Sequence, residues 1–419
     1  MCIFLILFNI IKIKFFKELN IQILMTKQCL ILAGGIGSRL GQITKKVPKP
    51  LIKINNNIFL DYLIKNLYRQ GIREFIILTW YKNKLFKKYL PVKYKESKIK
   101  VVCEKKKLGT SGAIKNAQKY LHKSFFVING DTFFDINIRD LELEIKNNSS
   151  DVGVALVKPT LHHKQYSYKI NKQNIVTQFN FSNKKNKLVS GGIYYFKKKN
   201  LNFLKNGHSD IDKDLIYKIF KRKKITAKVF LKSFIDIGTK KFLKKAPSFI
   251  KKTLNRPCCF LDRDGVINEE RNYVHKAKDF KWRKNIFKAV KLLNDSNFRV
   301  IIATNQAGIA KGFFSEKQFF TLNNWMQREF NKRGCFIDDV YYCPYHPSAK
   351  IKKYKKKSNL RKPGNGMIIK ALKDWKINKN KSFMIGDKEK DIICGKKSNL
   401  RSYYVEADIY YQVKNLILN

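Results

Sequence analysis

The chain has 419 residues, 44% hydrophobic and 28% charged, with 88 Lys and Arg against 31 Asp and Glu, a formal net charge of +57. That apolar content excludes an unfolded chain, and the length leaves room for two or three domains. The lysines are spread among Asn, Ile, Phe and Tyr along the whole chain, with no aromatic–basic nucleic-acid motif. We therefore read them as compositional bias on solvated faces rather than as a specific nucleic-acid or lipid binder, although such a field attracts phosphorylated small molecules.

Residues 1–24 are apolar with scattered lysines. The uncharged run is too short to span a bilayer, no positive stretch precedes it and no small-residue cleavage site follows. We expect an extension upstream of a natural start at Met25, without stable membrane insertion. The eight cysteines fall mostly in apolar runs without framework spacing, which fits reduced thiols in a cytoplasmic protein.

Residues 29–33 read as a buried strand opening into Gly34, Gly35, Gly37, Ser38 and Arg39. Glycines let the backbone approach a phosphate, their N–H groups form an anion nest, and Arg39 adds charge-assisted bonds. The loop is neither a Walker loop nor the dinucleotide fingerprint, since no Gly-Lys-Ser/Thr follows and the third fingerprint glycine is missing. Lys49 stands between Pro48 and Pro50, residues 61–71 form an amphipathic helix, and Gly109 and Thr110 form a small-residue turn entering another helix. A strand over 125–128 leads to Asp131, and Asp236 follows a later apolar run. A strand-end Asp beside a phosphate nest suits Mg²⁺–triphosphate, although either Asp alone is as often a turn former.

Together these residues resemble the sugar-1-phosphate nucleotidyltransferases over about residues 27–247. The nearest branch guanylylates heptose 1-phosphate and has mannose and N-acetylmuramate relatives. The resemblance implies a Rossmann-like mixed sheet of the GT-A kind. It implies that Gly34, Gly35, Gly37, Ser38 and Arg39 grip the nucleotide phosphates and that Lys49 neutralises the α-phosphate. Gly109 and Thr110 would line the nucleoside, Gly191 and Gly192 the sugar, and Asp131 with Asp236 would bind Mg²⁺. The family's Phe-x-Glu-Lys is replaced by Phe179, Asn180, Phe181 and Ser182, and its Arg-Tyr-Gly turn by Gln165, Tyr166 and Ser167. Lys184 or Lys185 is the expected substitute. No residue pattern marks the base; GTP is what the resemblance implies.

Residues 248–257, in a short basic stretch, are the expected linker between domains at 25–247 and 258–419. Phe260 and Leu261 then run into Asp262 and Asp264, spaced i, i+2, and Gly265. That is a strand ending in a tight turn, with both carboxylates pointing the same way off its C-terminal end, where open α/β sheets bind ligands. Like charges so close need a cation, and Mg²⁺ takes carboxylate oxygens. One Asp can attack phosphorus while the other passes a proton. A second buried strand over 299–303 leads to Thr304, Asn305 and Gln306; Arg361 and Lys362 supply cations; a third strand ends on Asp387, with Asp391 a turn further on.

This order resembles the haloacid dehalogenase superfamily of aspartyl-phosphate phosphatases, over roughly 258–419. Within it the heptose 1,7-bisphosphate 7-phosphatases are nearest and the histidinol phosphatases are neighbours. The resemblance implies a parallel sheet with a small cap or none, Asp262 as nucleophile and Asp264 as general acid/base. Thr304, Asn305 and Lys362 would hold the transferring phosphate, Arg361 would grip substrate, and Asp262, Asp264 and Asp387 would surround Mg²⁺. Relatives carry a zinc loop here. Cys343 and His346 remain, but Ser358 and Leu360 stand where the second ligand pair belongs, and structural zinc wants four ligands. We expect no zinc, a packed Cys343 thiol, and a basic loop over 350–357 that is mobile or held another way.

The whole chain thus reads as a two-domain α/β enzyme that dephosphorylates a heptose bisphosphate and couples the product to a nucleotide, with Mg²⁺ in both halves. Its partners are heptose phosphates and a nucleoside triphosphate. Competing readings are a histidinol-phosphatase-like C-terminal half, a mannose or other sugar 1-phosphate in the N-terminal half, or one inactive half. The anomer and the oligomeric state leave no mark on the sequence.

Overall fold

The computed structural model describes residues 25–90, 93–158, 165–182 and 188–418; residues 1–24, Lys184 and Lys185 lie outside the described residues, as do the side chains of Phe181 and Ser182. The apolar strand Gln28–Leu32 is central to the N-terminal sheet, flanked in parallel by Glu74–Thr79 and Ser124–Asn129. Such strands are covered on both faces, which is why they read as continuous apolar runs. Ser97–Cys103 extends the parallel part, and Leu188–Lys197 pairs antiparallel with Ser124–Asn129. The sheet is therefore mixed, with ten strands among the described residues. Helices Phe59–Arg69, Ile138–Asn147 and Lys240–Leu254 bury Leu63, Leu141 and Ile250 on one face. Helix Gly109–Asn116 and the helical segment containing Leu215 cover the other. Leu32 lies level with Leu78 and Asn129, so the turns that follow these strands emerge along one edge.

The C-terminal sheet has five parallel strands in the order Asp339–Cys343, Arg299–Asn305, Cys258–Leu261, Phe383–Gly386, Arg401–Tyr404. Leu261 lies level with Ile302 and Ile385, so the segments carrying Asp262, Thr304 and Asp387 reach the same edge. Between Leu261 and the helix Ile286–Asp295 there is one short helical turn, Ala277–Asp279, and no inserted cap domain.

Helix Lys240–Leu254 is N-capped by Thr239, whose hydroxyl accepts the Phe242 N–H at 3.4 Å. It runs through most of the expected linker and stops three residues before the strand at Cys258. The two sheets then meet at a buried charge cluster. Arg69 donates to Asp338 at 2.9 Å and to Asp135 at 3.2 Å, Arg256 pairs with Asp135, and Arg299 lies 3.5 Å from Asp338. Arg299 opens its strand and Asp338 immediately precedes another. The joint therefore lies at the edge of the C-terminal sheet opposite Asp262.

Candidate active sites

At the N-terminal edge, Gly37 has φ 73°, and a Cβ there would stand 2.8 Å from Lys49 Cε and from Thr44 Cγ2. Glycine alone lets this loop close on Lys49. Lys49 Nζ in turn lies 2.8 Å from Asp131 Oδ2. Antiparallel pairing of Phe234–Asp236 with Thr132–Phe134 carries Asp236 alongside. Burial and the charge of Asp131 push the Asp236 carboxyl up. A Cβ on Gly238 would lie 2.8 Å from Asp236 Oδ1, 3.0 Å from Arg39 Nη2 and 3.4 Å from Lys49 Nζ, so the four charged residues converge. Two carboxylates against two cations give no surplus for a bare metal. They fit a Mg²⁺ that arrives with triphosphate oxygens, since that ion is commonly held by one or two carboxylates plus substrate phosphates.

Beside them a cavity of about 310 Å³ is lined by Gly34, Gly35, Gly109 and Thr110, together with Trp80 and Glu104. The Thr110 hydroxyl accepts the Ile211 N–H at 2.8 Å and donates to Asp210 at 3.1 Å, so it ties two segments together. Gly191 packs on the Phe134 ring and Gly192 on the Asn129 side chain, which itself lines the cavity. Glu104 escaped the sequence reading; its only signal is a carboxylate just past the strand Ser97–Cys103. It is 7% exposed, and its Oε2 accepts the Leu108 N–H at 3.0 Å. Burial pushes its carboxyl up, against that bond. At the departures from the family pattern, Phe179 stacks on Tyr166 at 4.9 Å and packs against Tyr168 and Phe220.

At the C-terminal edge, Gly265 has φ 90°, and a Cβ there would stand 2.3 Å from Asp387 Oδ2. The carboxylates of Asp262, Asp387 and Asp391 gather with ligand oxygens within 4.8 Å of one another. Lys362 Nζ lies 2.9 Å from Asp262 and 2.6 Å from Asp391. Burial drives the Asp262 carboxyl up against the pull of Lys362. Burial and the Asp262 charge push Asp387 up to about 6. Three carboxylates face one buried lysine, and Lys388, 3.8 Å from Asp387, is shared with Glu270, so the cluster stays net negative; Asp387 Oδ1 is buried without a hydrogen-bond partner. The set fits a divalent, oxygen-seeking ion.

Among the carboxylates, that of Asp391 completes the set and that of Asp264 lies apart. The Asp264 carboxylate accepts from Arg263 at 2.9 Å, Asn268 at 3.0 Å and Gln306 at 3.1 Å. Gln306 also donates to the Thr304 hydroxyl at 3.0 Å, which links the acid to the second strand end. Asn305 spends its amide on the backbone of Lys362, accepting at 3.0 Å and donating at 3.1 Å, so its side chain positions the lysine. Arg361 is half-buried, with Nη1 unpartnered.

The basic loop over 350–357 is held by tyrosines. Tyr342 and Tyr354 both donate to Glu316, at 2.7 and 2.8 Å, and the His346 N–H donates to the Tyr354 carbonyl at 3.1 Å. Tyr354 packs with Ile309, Phe314 and Phe319. Cys343 is buried, its thiol 3.8 Å from the Tyr345 carbonyl, and His346 Nδ1 accepts the Ser348 N–H at 3.0 Å.

The nucleotidyl transferase family pattern matches residues 28–253, more than half of the chain. The chain belongs to the nucleotidyl transferase family. A HAD-hydrolase-like pattern matches residues 359–414. The chain is 39% identical over 164 residues to D-glycero-beta-D-manno-heptose-1,7-bisphosphate 7-phosphatase of Rhodopseudomonas palustris, covering 39% of this chain and 91% of that one. It is 36% identical over 212 residues to D-glycero-alpha-D-manno-heptose 1-phosphate guanylyltransferase of Campylobacter jejuni, covering 50% of this chain and 94% of that one. A crystal structure of HddC from Yersinia pseudotuberculosis complexed with GMP-PN covers 54% of this chain and all of that one, at 28% identity and TM-score 0.47. This nucleotidyl transferase thus carries a phosphatase-family domain behind it, a transferase joined to a hydrolase. Among the described residues no helix is long and apolar enough to cross a membrane.

Proposed function

We propose that residues 258–419 remove the 7-phosphate from a D-glycero-D-manno-heptose 1,7-bisphosphate and that residues 25–247 transfer GMP from GTP to the resulting heptose 1-phosphate. The observation that carries the reading is the Asp262–Lys362–Asp391–Asp387 cluster beside a hydrogen-bonded Asp264. In the phosphatase, Asp262 attacks phosphorus while Lys362 offsets charge on the phosphoryl oxygens. Asp264, held by Arg263, Asn268 and Gln306, gives a proton to the departing sugar oxygen and takes one from the attacking water. Thr304 and Arg361 bind the phosphate and the sugar. Asp262, Asp387 and Asp391 would hold Mg²⁺, which would supply charge neutralisation at the reacting phosphate.

In the transferase half, the glycine loop, Arg39 and Lys49 align the triphosphate for in-line attack by the sugar phosphate, and pyrophosphate leaves. Asp131 and Asp236 would hold Mg²⁺ there. Glu104 supports guanine as the base: guanine alone among the common bases offers two adjacent donors, N1–H and N2–H₂, which a carboxylate accepts together. The buried free cysteines fit a cytoplasmic site of action.

Phosphate release from heptose 1,7-bisphosphate and from histidinol phosphate tests the first half, and a panel of four nucleoside triphosphates with heptose 1-phosphate tests the second. Comparable turnover of histidinol phosphate, or preference for UTP or ATP, rejects the corresponding half of the proposal.

A further inference from the structure

We propose that the cleft between the two domains is a second nucleotide site, distinct from both active sites, that takes the phosphates of a nucleoside di- or triphosphate. The cleft measures about 1060 Å³ and lies between helix Phe59–Arg69, the end of helix Lys240–Leu254 and the segment 372–377. That is at the top of the range for small-molecule sites.

Its floor carries the argument. Arg69, Arg256 and Arg299 line the cleft and are 6%, 4% and 2% exposed. Two carboxylates, Asp135 and Asp338, face them, which leaves one positive charge in excess. Arg299 donates from Nη2 to the Leu254 carbonyl at 3.0 Å, but its Nε is buried with no hydrogen-bond partner. Burial and the neighbouring Arg256 lower the hold of Arg299 on its proton to about 9. An uncompensated buried charge is costly, and an anion in the cleft would relieve it. Lysines alone would mean little in so basic a chain; three converging buried arginines are a different matter.

The wall supplies the rest of the ligand's chemistry. The Trp375 ring has Lys65 Nζ 4.3 Å and the Arg299 guanidinium carbon 4.5 Å from its centroid. Tyr62, Tyr89 and Tyr94 also border the cleft. Trp375 is buried beneath those cations, so the exposed Tyr89 is the ring left for a base, and cations for phosphate beside it describe a nucleotide better than they describe a simple oxyanion. Arg299 opens its strand, and Asp262 lies past the opposite end of the neighbouring one, so the cleft is not part of the phosphatase pocket.

Hydrogen–deuterium exchange of the full chain with GDP tests this. GDP should slow exchange several-fold over residues 251–256 and 372–377, and also over the glycine loop at 34–39. The double variant Lys251→Glu/Lys376→Glu changes two exposed rim residues. It should lose protection of the cleft segments and keep that of the glycine loop. Absence of cleft protection in the unmodified protein overturns the proposal. So does cleft protection that survives in the double variant, because it would then be relayed from the N-terminal pocket.

Discussion

Replacing Glu104 by Gln isolates base recognition from everything else in the N-terminal pocket. The side chain keeps its size, and its carbonyl oxygen can still accept the Leu108 N–H now held at 3.0 Å. Fold stability should therefore change little. With that oxygen engaged, the new NH₂ group faces the N1–H and N2–H₂ donors of guanine, so at least one charge-assisted bond is lost and a donor opposes a donor. Such a bond is worth about 1.5–3 kcal/mol, which corresponds to a loss of roughly 10- to 150-fold in kcat/KM for GTP. Adenine, with an acceptor beside a donor, pairs with a carboxamide, so the GTP-to-ATP ratio should collapse further than GTP turnover alone. The pH profile should change as well. Burial raises the Glu104 carboxyl, so in the parent protein GTP use falls as pH drops through that raised value, and the Gln variant loses this limb. Steady-state pyrophosphate release with GTP and ATP across pH is the assay. A Glu104→Gln variant that keeps full GTP preference refutes the carboxylate as the guanine reader.

Lys362→Met removes the cation between Asp262 and Asp391; phosphate release should fall roughly 10²–10³-fold while nucleotidyl transfer is untouched, as separate assays on one preparation will show. Asp338→Ala leaves the Val300 N–H without its acceptor, Arg299 with only the Leu254 carbonyl and Arg69 with Asp135 as its one carboxylate, and urea titration should register a loss of about 3–5 kcal/mol; a loss under about 1 kcal/mol would mean that the joint contributes little. Asp212 is raised to about 6 by burial, with the hydroxyls of Tyr168 and Tyr194 donating to it. A raised carboxyl favours the folded state below its unfolded value of 3.8, and that contribution is lost as pH rises through about 6. Asp212→Asn should thus match the parent near pH 4 and exceed it by up to about 3 kcal/mol at pH 8; equal melting temperatures at pH 8 contradict this. Glu316→Gln weakens the acceptor shared by Tyr342 and Tyr354 and should speed proteolysis within 350–357 before any change elsewhere.

Both sites were largely legible in the chain because their chemistry sits in short runs at strand ends. A strand such as Cys258–Leu261 must be apolar to be buried, and the residue after it must turn, so Asp262 and Gly265 announce themselves. The same logic exposes Gly37, Lys49 and Asp131. Residues whose partners come from distant segments carry no such mark. Glu104 looks like any charged residue after a strand until the fold places it against the glycine loop. Asp391 stands one helical turn beyond Asp387, and sequence spacing does not say whether its carboxylate or that of Asp264 gathers with Asp262 and Asp387. The fold decides: Gln306, just past the neighbouring strand, and Asn268 hold the Asp264 carboxylate apart from the other three.

Patterning within the chain determined two α/β units, the edge on which each would do its chemistry, and the charged groups available there, because those properties depend on neighbours within a few residues. Only tertiary structure decided what depends on pairs far apart in sequence. It selected the three carboxylates that share a site, set the Tyr342–Glu316–Tyr354 bracket around the basic loop over 350–357, and joined the domains through Arg69, Asp135, Arg256, Arg299 and Asp338. Coulomb and hydrogen-bond energies act over a few ångströms, and only the folded chain brings those atoms that close.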